Sequence, residues 1–251
     1  MSPARITDFS PGKPRKALLC IHGAGCSAAI FRVQISKLRV ALKNEFEFVY
    51  ATAPFSSSPG PGVLPVFQGM GPYYTWFQKH HDAVTNTTTP TVGDRVAAVI
   101  GPVQKTVQDW SITNPQAPIV GIVAFSEGAL VATLLLHQQQ MGKLPWFPKM
   151  SIAVLICCFY SDEARDYMRA EAQDDDDKLI INVPTLHLHG RQDFALQGSR
   201  QMVETHYLPQ NADVLEFQGK HNFPNRPSDV QETVKRFQQL YQKVKMSGSF
   251  V

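Results

Sequence analysis

A serine held in a sharp turn between an apolar strand and an apolar helix can serve as an acyl-transfer nucleophile, because the turn lifts its hydroxyl above the sheet. The segment IVGIVAFSEGALVATLLL has this form around Ser126, with Ala124 and Gly128 small enough for strand and helix to approach closely. A neutral hydroxyl needs a base within hydrogen-bond reach, and the base needs an acid on its other nitrogen. HGRQDF follows an apolar run and puts Asp193 in a loop; QGKHNFP follows another and does the same for His221. Ser126, Asp193 and His221 therefore make a candidate triad in that chain order. A tetrahedral intermediate also needs two preorganised donors for its oxyanion. The backbone N–H of Glu127, at the helix start, is one candidate, and that of Ala24, in the glycine-bearing loop CIHGAGCS, is the other.

Other residues compete for these roles. Asp162 follows the apolar run ending at Phe159 and is the alternative acid, reaching the base from the neighbouring strand end. His22, His187 and His189 lie in or beside strands and read as structural, while His80, His81, His137 and His206 read as surface residues. Cys26 sits beside the oxyanion loop, but no elbow or histidine partner surrounds it, so it reads as a packed thiol.

The elements that must hold these residues alternate. Apolar or β-branched runs at Ala17 to Ile21, Phe46 to Ala51, Ile119 to Ala124, Ile152 to Phe159, Thr185 to Leu188 and Val214 to Phe217 predict six strands. Several are apolar at nearly every position, as in a parallel sheet covered on both faces. Helical periods lie between them. One runs through Phe31, Ile35, Leu38 and Leu42; a second, through Val96, Val103, Val107 and Trp110, is expected to kink at Pro102; a third runs through Val230, Val234, Phe237, Tyr241 and Val244, with Ser228 and Gln231 as its capping box. This order predicts a doubly wound, mostly parallel α/β sheet with its site at the carboxyl ends of the strands, and the Ser, Asp, His order is that of the α/β-hydrolase fold.

A single domain over residues 1–251 is expected, with two interruptions. Residues 54–91 form a long excursion whose rings Phe67, Tyr73, Tyr74, Trp76 and Phe77 either make a lid over a lipophilic substrate or cap the core. Trp146 and Phe147 are the expected opposite wall of a pocket. Residues 162–178 carry eight acids against two arginines and are expected to form a solvated loop.

With 43% hydrophobic and 18% charged residues, the 251-residue chain is neither disordered nor a solvated binding tail. Its net charge of +3 is too small to argue for a nucleic-acid surface. Cys20, Cys26, Cys157 and Cys158 lack metal-ligand spacing, so no metal or other cofactor is expected. The opening MSPARITDFSPGKPRK is polar and broken by proline, and no run is long and apolar enough for a membrane span. A soluble, cytoplasmic, reduced protein is the expectation.

Taken together, LCIHGAGCSAAIFRVQISKLR, FVYATAPF, GPGVLPVF, GPYYTWF, AFSEGAL, HGRQDF and HNFPNRP resemble the fungal FSH1-type serine hydrolases. In particular they resemble the thioesterases that accompany highly reducing polyketide synthases of the lovastatin and compactin type. The resemblance covers nearly the whole chain and departs at Ala124, where relatives often have glycine. It implies that Ser126 is nucleophile, Asp193 acid and His221 base in hydrolysing the thioester that ties a finished polyketide to an acyl carrier domain, which would be the partner. Two other functions remain open: a general carboxylesterase acting on small lipophilic esters, and an inactive ligand-binding protein on the same fold.

Overall fold

Strands covered by helices on both faces must be apolar on both sides. β1 (Lys16–Ile21), β5 (Ile119–Phe125) and β6 (Ile152–Ile156) meet this condition, with every residue but Lys16 buried. The protein is described here by a computed structural model covering residues 15–78, 91–173 and 175–246. With β2 (Phe46–Ala51), β7 (Thr185–Gly190) and β8 (Ala212–Phe217), these strands form one parallel sheet in the order β2-β1-β5-β6-β7-β8. Alternate residues face two separate cores. Leu19, Ile21, Ala124 and Leu155 join α3 (Val92–Thr113) and α4 (Glu127–Gln140) on one face. Leu18, Cys20, Val123 and Ile156 join α1 (Ala28–Gln34), α2 (Ser36–Leu42) and α8 (Pro227–Met246) on the other.

After β1 the chain builds outward to β2, and after β5 it builds the opposite way. The order therefore reverses between β1 and β5, and a crevice opens beyond their carboxyl ends. The turn carrying Ser126 and the loop carrying Ala24 both leave strands at this switch point. α4 is buried almost all round, as a helix inside a core must be. Its close seat on β1 requires Gly128, since a Cβ there would fall 2.4 Å from the carbonyl oxygens of Ile21 and His22.

Several expectations need correction. The acidic segment is not a loop: α5 (Asp162–Glu171) and α6 (Asp176–Leu179) occupy most of it. Ser161 caps α5 through the Ala164 N–H, and Ala164, Met168 and Ala172 form a buried stripe at helical spacing that the charges conceal. Asp174, in the DDDDK run, lies outside the described residues. The strand expected through Phe159 stops at Ile156, because Cys157 adopts a left-handed backbone with φ 51°. The first helical period spans two helices jointed at Ile35, whose stripe of Phe31, Ile35, Leu38 and Leu42 continues buried across the joint. α8 begins at Pro227, so Ser228 lies in its first turn instead of capping it. α3 is a single helix that includes Pro102, and it opens on a Thr91–Asp94 capping box that the apolar pattern does not announce. His137 and His206 are buried in helices, not on the surface; His80 and His81 lie outside the described residues.

The excursion, of which residues 79–90 lie outside the described residues, contains a small antiparallel sheet of β3 (Phe55–Ser57) and β4 (Tyr73–Thr75). β4 is tied to the loop after β1 by paired bonds between Cys26 and Tyr74, at 3.1 and 2.7 Å. Trp76 is fully buried, donating its indole N–H to the His22 carbonyl at 2.7 Å, and Phe67 is buried in the other core. These two rings are packed into the two cores. Tyr73, Tyr74 and Phe77 are half-buried against the two cores. Trp146 is also displaced from its expected place. It follows α4 and leads into the amino end of β6, whereas Ser126 precedes α4, and 14 helical residues span about 21 Å.

Trp76→Ala should accordingly lower stability by about 3–5 kcal/mol, the usual cost of emptying a buried aromatic site. Denaturant unfolding should register this loss while the ratio of long-chain to short-chain kcat/KM stays unchanged. A collapse of that ratio at unaltered stability would return Trp76 to the substrate's path.

Candidate active site

Ser126 sits between β5 and α4 with φ 54° and ψ −119°, a conformation that non-glycine residues adopt at a cost of roughly 1–3 kcal/mol. Its N–H bonds to Ile156 O at 2.8 Å, so β6 fixes the turn from below. The Ser126 hydroxyl oxygen lies 2.7 Å from His221 Nε2. His221 Nδ1 lies 2.9 and 3.0 Å from the two Asp193 oxygens. A carboxylate can only accept, so Nδ1 carries the ring proton and Nε2 is left to accept from the serine hydroxyl. Asp193 follows β7 and is itself anchored by the Ala195 N–H on Oδ1 at 2.8 Å. Burial works to raise its pKa, but the bonds from His221 and the Ala195 N–H outweigh burial and hold the carboxyl below its ordinary range.

The first loop runs directly alongside the serine. A side chain at Gly23 would fall 3.2 Å from Ser126 Cβ, which brings the backbone leading to Ala24 into the site. His22 sets that backbone. Its Nε2 accepts the Ala53 N–H at 3.1 Å, so its proton resides on Nδ1, 2.8 Å from the Gly23 carbonyl. Burial lowers its pKa to about 4, which keeps the ring neutral in this arrangement. The Asp162 side chain is three-quarters exposed and bridges to Arg165 at 2.8 Å; it starts α5 and makes no contact with His221. Cys26 is buried with its Sγ toward Ser27 O and the Gln34 side chain, and burial raises its pKa to about 11, which leaves it an inert thiol.

Four features of the site escape sequence reasoning. The Glu127 carboxylate is buried and accepts the Thr75 hydroxyl at 2.7 Å and the Trp76 N–H at 2.8 Å, clamping the end of β4 onto the elbow. Phe125 and Phe194 flank the base, with ring centroids 5.1 and 4.5 Å from His221. Phe194 is 76% exposed. Its place directly after Asp193 is the one available signal. Among the described residues of the excursion, Leu64, Val66 and Met70 are exposed large apolar side chains. Finally, Cys157 stands behind the triad, its Sγ grouped with a ligand atom each of Asp193 and His221 within 4.8 Å of one another. That spacing could suit an ion, but the carboxylate and imidazole are already bonded to each other and burial holds the thiol protonated.

Residues 12–233 match the family model described as serine hydrolase (FSH1). The chain belongs to the FSH1 serine hydrolase family. A dihydromonacolin L-[lovastatin nonaketide synthase] thioesterase of Aspergillus terreus (strain NIH 2624 / FGSC A1156) is 58% identical to this hydrolase over 240 residues, covering 91% of this chain and 93% of the relative. Esterase mokD of Monascus pilosus is 55% identical over 256 residues, covering 95% and 97%. Among solved structures, Zea mays acyl-protein thioesterase 2 superposes with a TM-score of 0.57 at 17% identity, covering 92% of this chain and 96% of that one. At that identity the likeness concerns the fold, which is an α/β-hydrolase-like parallel sheet. No helix among the described residues of this FSH1 hydrolase is long and apolar enough to cross a membrane.

Proposed function

We propose that this FSH1 hydrolase is a single-domain cytoplasmic thioesterase. It cleaves the thioester between a finished polyketide and the acyl carrier domain of a highly reducing polyketide synthase, releasing the free acid in statin-type biosynthesis. The observation that carries the substrate class is the 58% identity, over nine-tenths of both chains, to a relative named as a lovastatin nonaketide synthase thioesterase.

The bonded series Ser126, His221, Asp193 supports the chemistry. Ser126 Oγ attacks the thioester carbonyl carbon while its proton passes to His221 Nε2. Asp193 stabilises the imidazolium, and the N–H groups of Glu127 and Ala24 receive the oxyanion. The tetrahedral intermediate then expels the carrier thiol, which takes the proton from His221 as the carbon–sulfur bond breaks. Water repeats the cycle on the acyl-serine: His221 accepts a proton from it, the hydroxyl adds to the carbonyl, and the serine leaves with that proton as the carboxylic acid departs.

The name of the Monascus pilosus relative, an esterase, keeps general ester hydrolysis as the second reading. One comparison separates the two. Acyl groups of increasing length are offered on an acyl carrier domain, on a small thiol and on a small alcohol. Each methylene buried is worth at most about 0.8 kcal/mol, so several additional carbons should raise kcat/KM by roughly one to three decades. The carrier-tethered thioester should exceed the same acyl group on the small thiol. Equal rates on short esters, with no gain from length or carrier, would favour the carboxylesterase.

A further inference from the structure

The residue directly after the nucleophile acts through two of its parts. The backbone N–H of Glu127 opens α4 beside Ser126 as one of the two proposed oxyanion donors, while its side chain reaches across to β4 and is buried there. Oε2 accepts the Thr75 hydroxyl at 2.7 Å and the Trp76 N–H at 2.8 Å, and Oε1 lies 2.9 Å from the same hydroxyl. An apolar side chain would fill this space without the cost of taking a carboxyl group out of water. It could not fix the direction of two specific donors.

The residues that Glu127 grips hold the other half of the oxyanion site. The Trp76 indole N–H donates to His22 O at 2.7 Å. Tyr74, immediately before Thr75, exchanges backbone bonds with Cys26 at 2.7 and 3.1 Å. These attachments fall on either side of Ala24, two residues before it and two after it. Gly60 closes the loop from a third direction: its N–H bonds to Gly25 O at 3.0 Å, and a Cβ on Gly60 would fall 2.0 Å from Ala24 O. The end of β4 therefore sets the backbone around Ala24, and Glu127 sets the end of β4.

We propose that the Glu127 side chain is a positioning residue that fixes the separation of the two oxyanion donors, its own N–H and that of Ala24. This rests on the assignment of those two donors. A hydrogen bond weakens steeply with misalignment, so a displaced Ala24 loop stabilises the oxyanion less. The contacts that hold the acyl chain in the ground state are untouched. Loss of the side chain should therefore appear in kcat and not in KM.

The test compares Glu127→Ala, Glu127→Gln and Thr75→Val in kcat, in KM and in inhibition by an alkyl trifluoromethyl ketone. When this ketone binds, Ser126 Oγ adds to its carbonyl carbon, the serine proton passes to His221 Nε2, and the C=O electron pair moves onto oxygen as an oxyanion. Because removing one oxyanion donor costs roughly 10²–10³ in kcat, displacing one should cost about 10- to 100-fold in Glu127→Ala, with KM within about threefold. Ketone affinity should fall by the same factor as kcat. Glu127→Gln should recover most of both losses, since its carbonyl oxygen can accept the Trp76 N–H and its NH₂ can donate to the Thr75 hydroxyl. Thr75→Val keeps the branched shape and the Trp76 bond while removing the hydroxyl, and should show a smaller, parallel fall in kcat and ketone affinity. It carries the test if Glu127→Ala does not fold. Lower stability with kcat and ketone affinity unchanged in Glu127→Ala or Thr75→Val, or a loss confined to KM, would overturn the proposal. If the wild type bound the trifluoromethyl ketone no more tightly than the matching methyl ketone, the oxyanion assignment would fail instead.

Discussion

Ser126→Ala and His221→Ala should each lower turnover by roughly 10⁴-fold or more, and the double variant should be little worse than either. The reason lies in the 2.7 Å contact between Ser126 Oγ and His221 Nε2. Without the hydroxyl there is nothing for the base to deprotonate, and without the base the hydroxyl remains a neutral, weak nucleophile. Residues that act as one unit fail together, so losses that add on a logarithmic scale would indicate two independent contributions. The activity that survives should come from the oxyanion donors and from substrate binding. Steady-state kinetics on an acyl thioester, with circular dichroism to establish that each variant is folded, measures both points.

The second large effect concerns the acid. Asp193→Asn should cost on the order of 10⁴-fold with the fold intact. An amide can present its NH₂ to Nδ1, which would place the ring proton on Nε2, where it can no longer accept from Ser126. The amide also cannot stabilise the imidazolium. Asp162→Asn should cost less than about tenfold, because it removes only an exposed pair with Arg165 of the kind worth about 0–1 kcal/mol. Kinetics of the two variants side by side decide the matter. A reversed outcome would move the acid to the strand end beside β6.

The strands buried on both faces are legible in the sequence because each is apolar at nearly every position, and the triad is legible because each member stands just past such a run. Edge strand β8 reads two residues short, since Ala212 and Asp213 carry no strand signal at a half-exposed edge. β3 and β4 are three residues each and exist through pairing between Phe55 and Thr75, a contact that no local pattern announces. The acids of α5 drown a three-residue apolar stripe, and residue type misleads at His137 and His206, which helices carry into the interior. In the site, Glu127 reads as an oxyanion backbone but not as a clamp, because its partner Thr75 lies 52 residues away. Cys157 is hidden inside a run that looks like uninterrupted strand, where nothing but the folded backbone discloses a left-handed residue.

The aromatic excursion is anchored to the core through Trp76. Its bulkiest ring, Trp76, closes the core against His22, with centroids 5.3 Å apart. Beside His221 the exposed ring is that of Phe194.

The central claim is that a carrier-bound acyl group passes through Ser126, and a rapid acid quench tests it most directly. Mixing the enzyme with a polyketide-like acyl group on an acyl carrier domain, quenching within one turnover and measuring intact and peptide masses should reveal an enzyme heavier by the acyl group. The adduct should map to Ser126 and be absent from Ser126→Ala. Free acid released with no adduct on wild type, or an adduct mapped to Cys26 or Cys157, would contradict it.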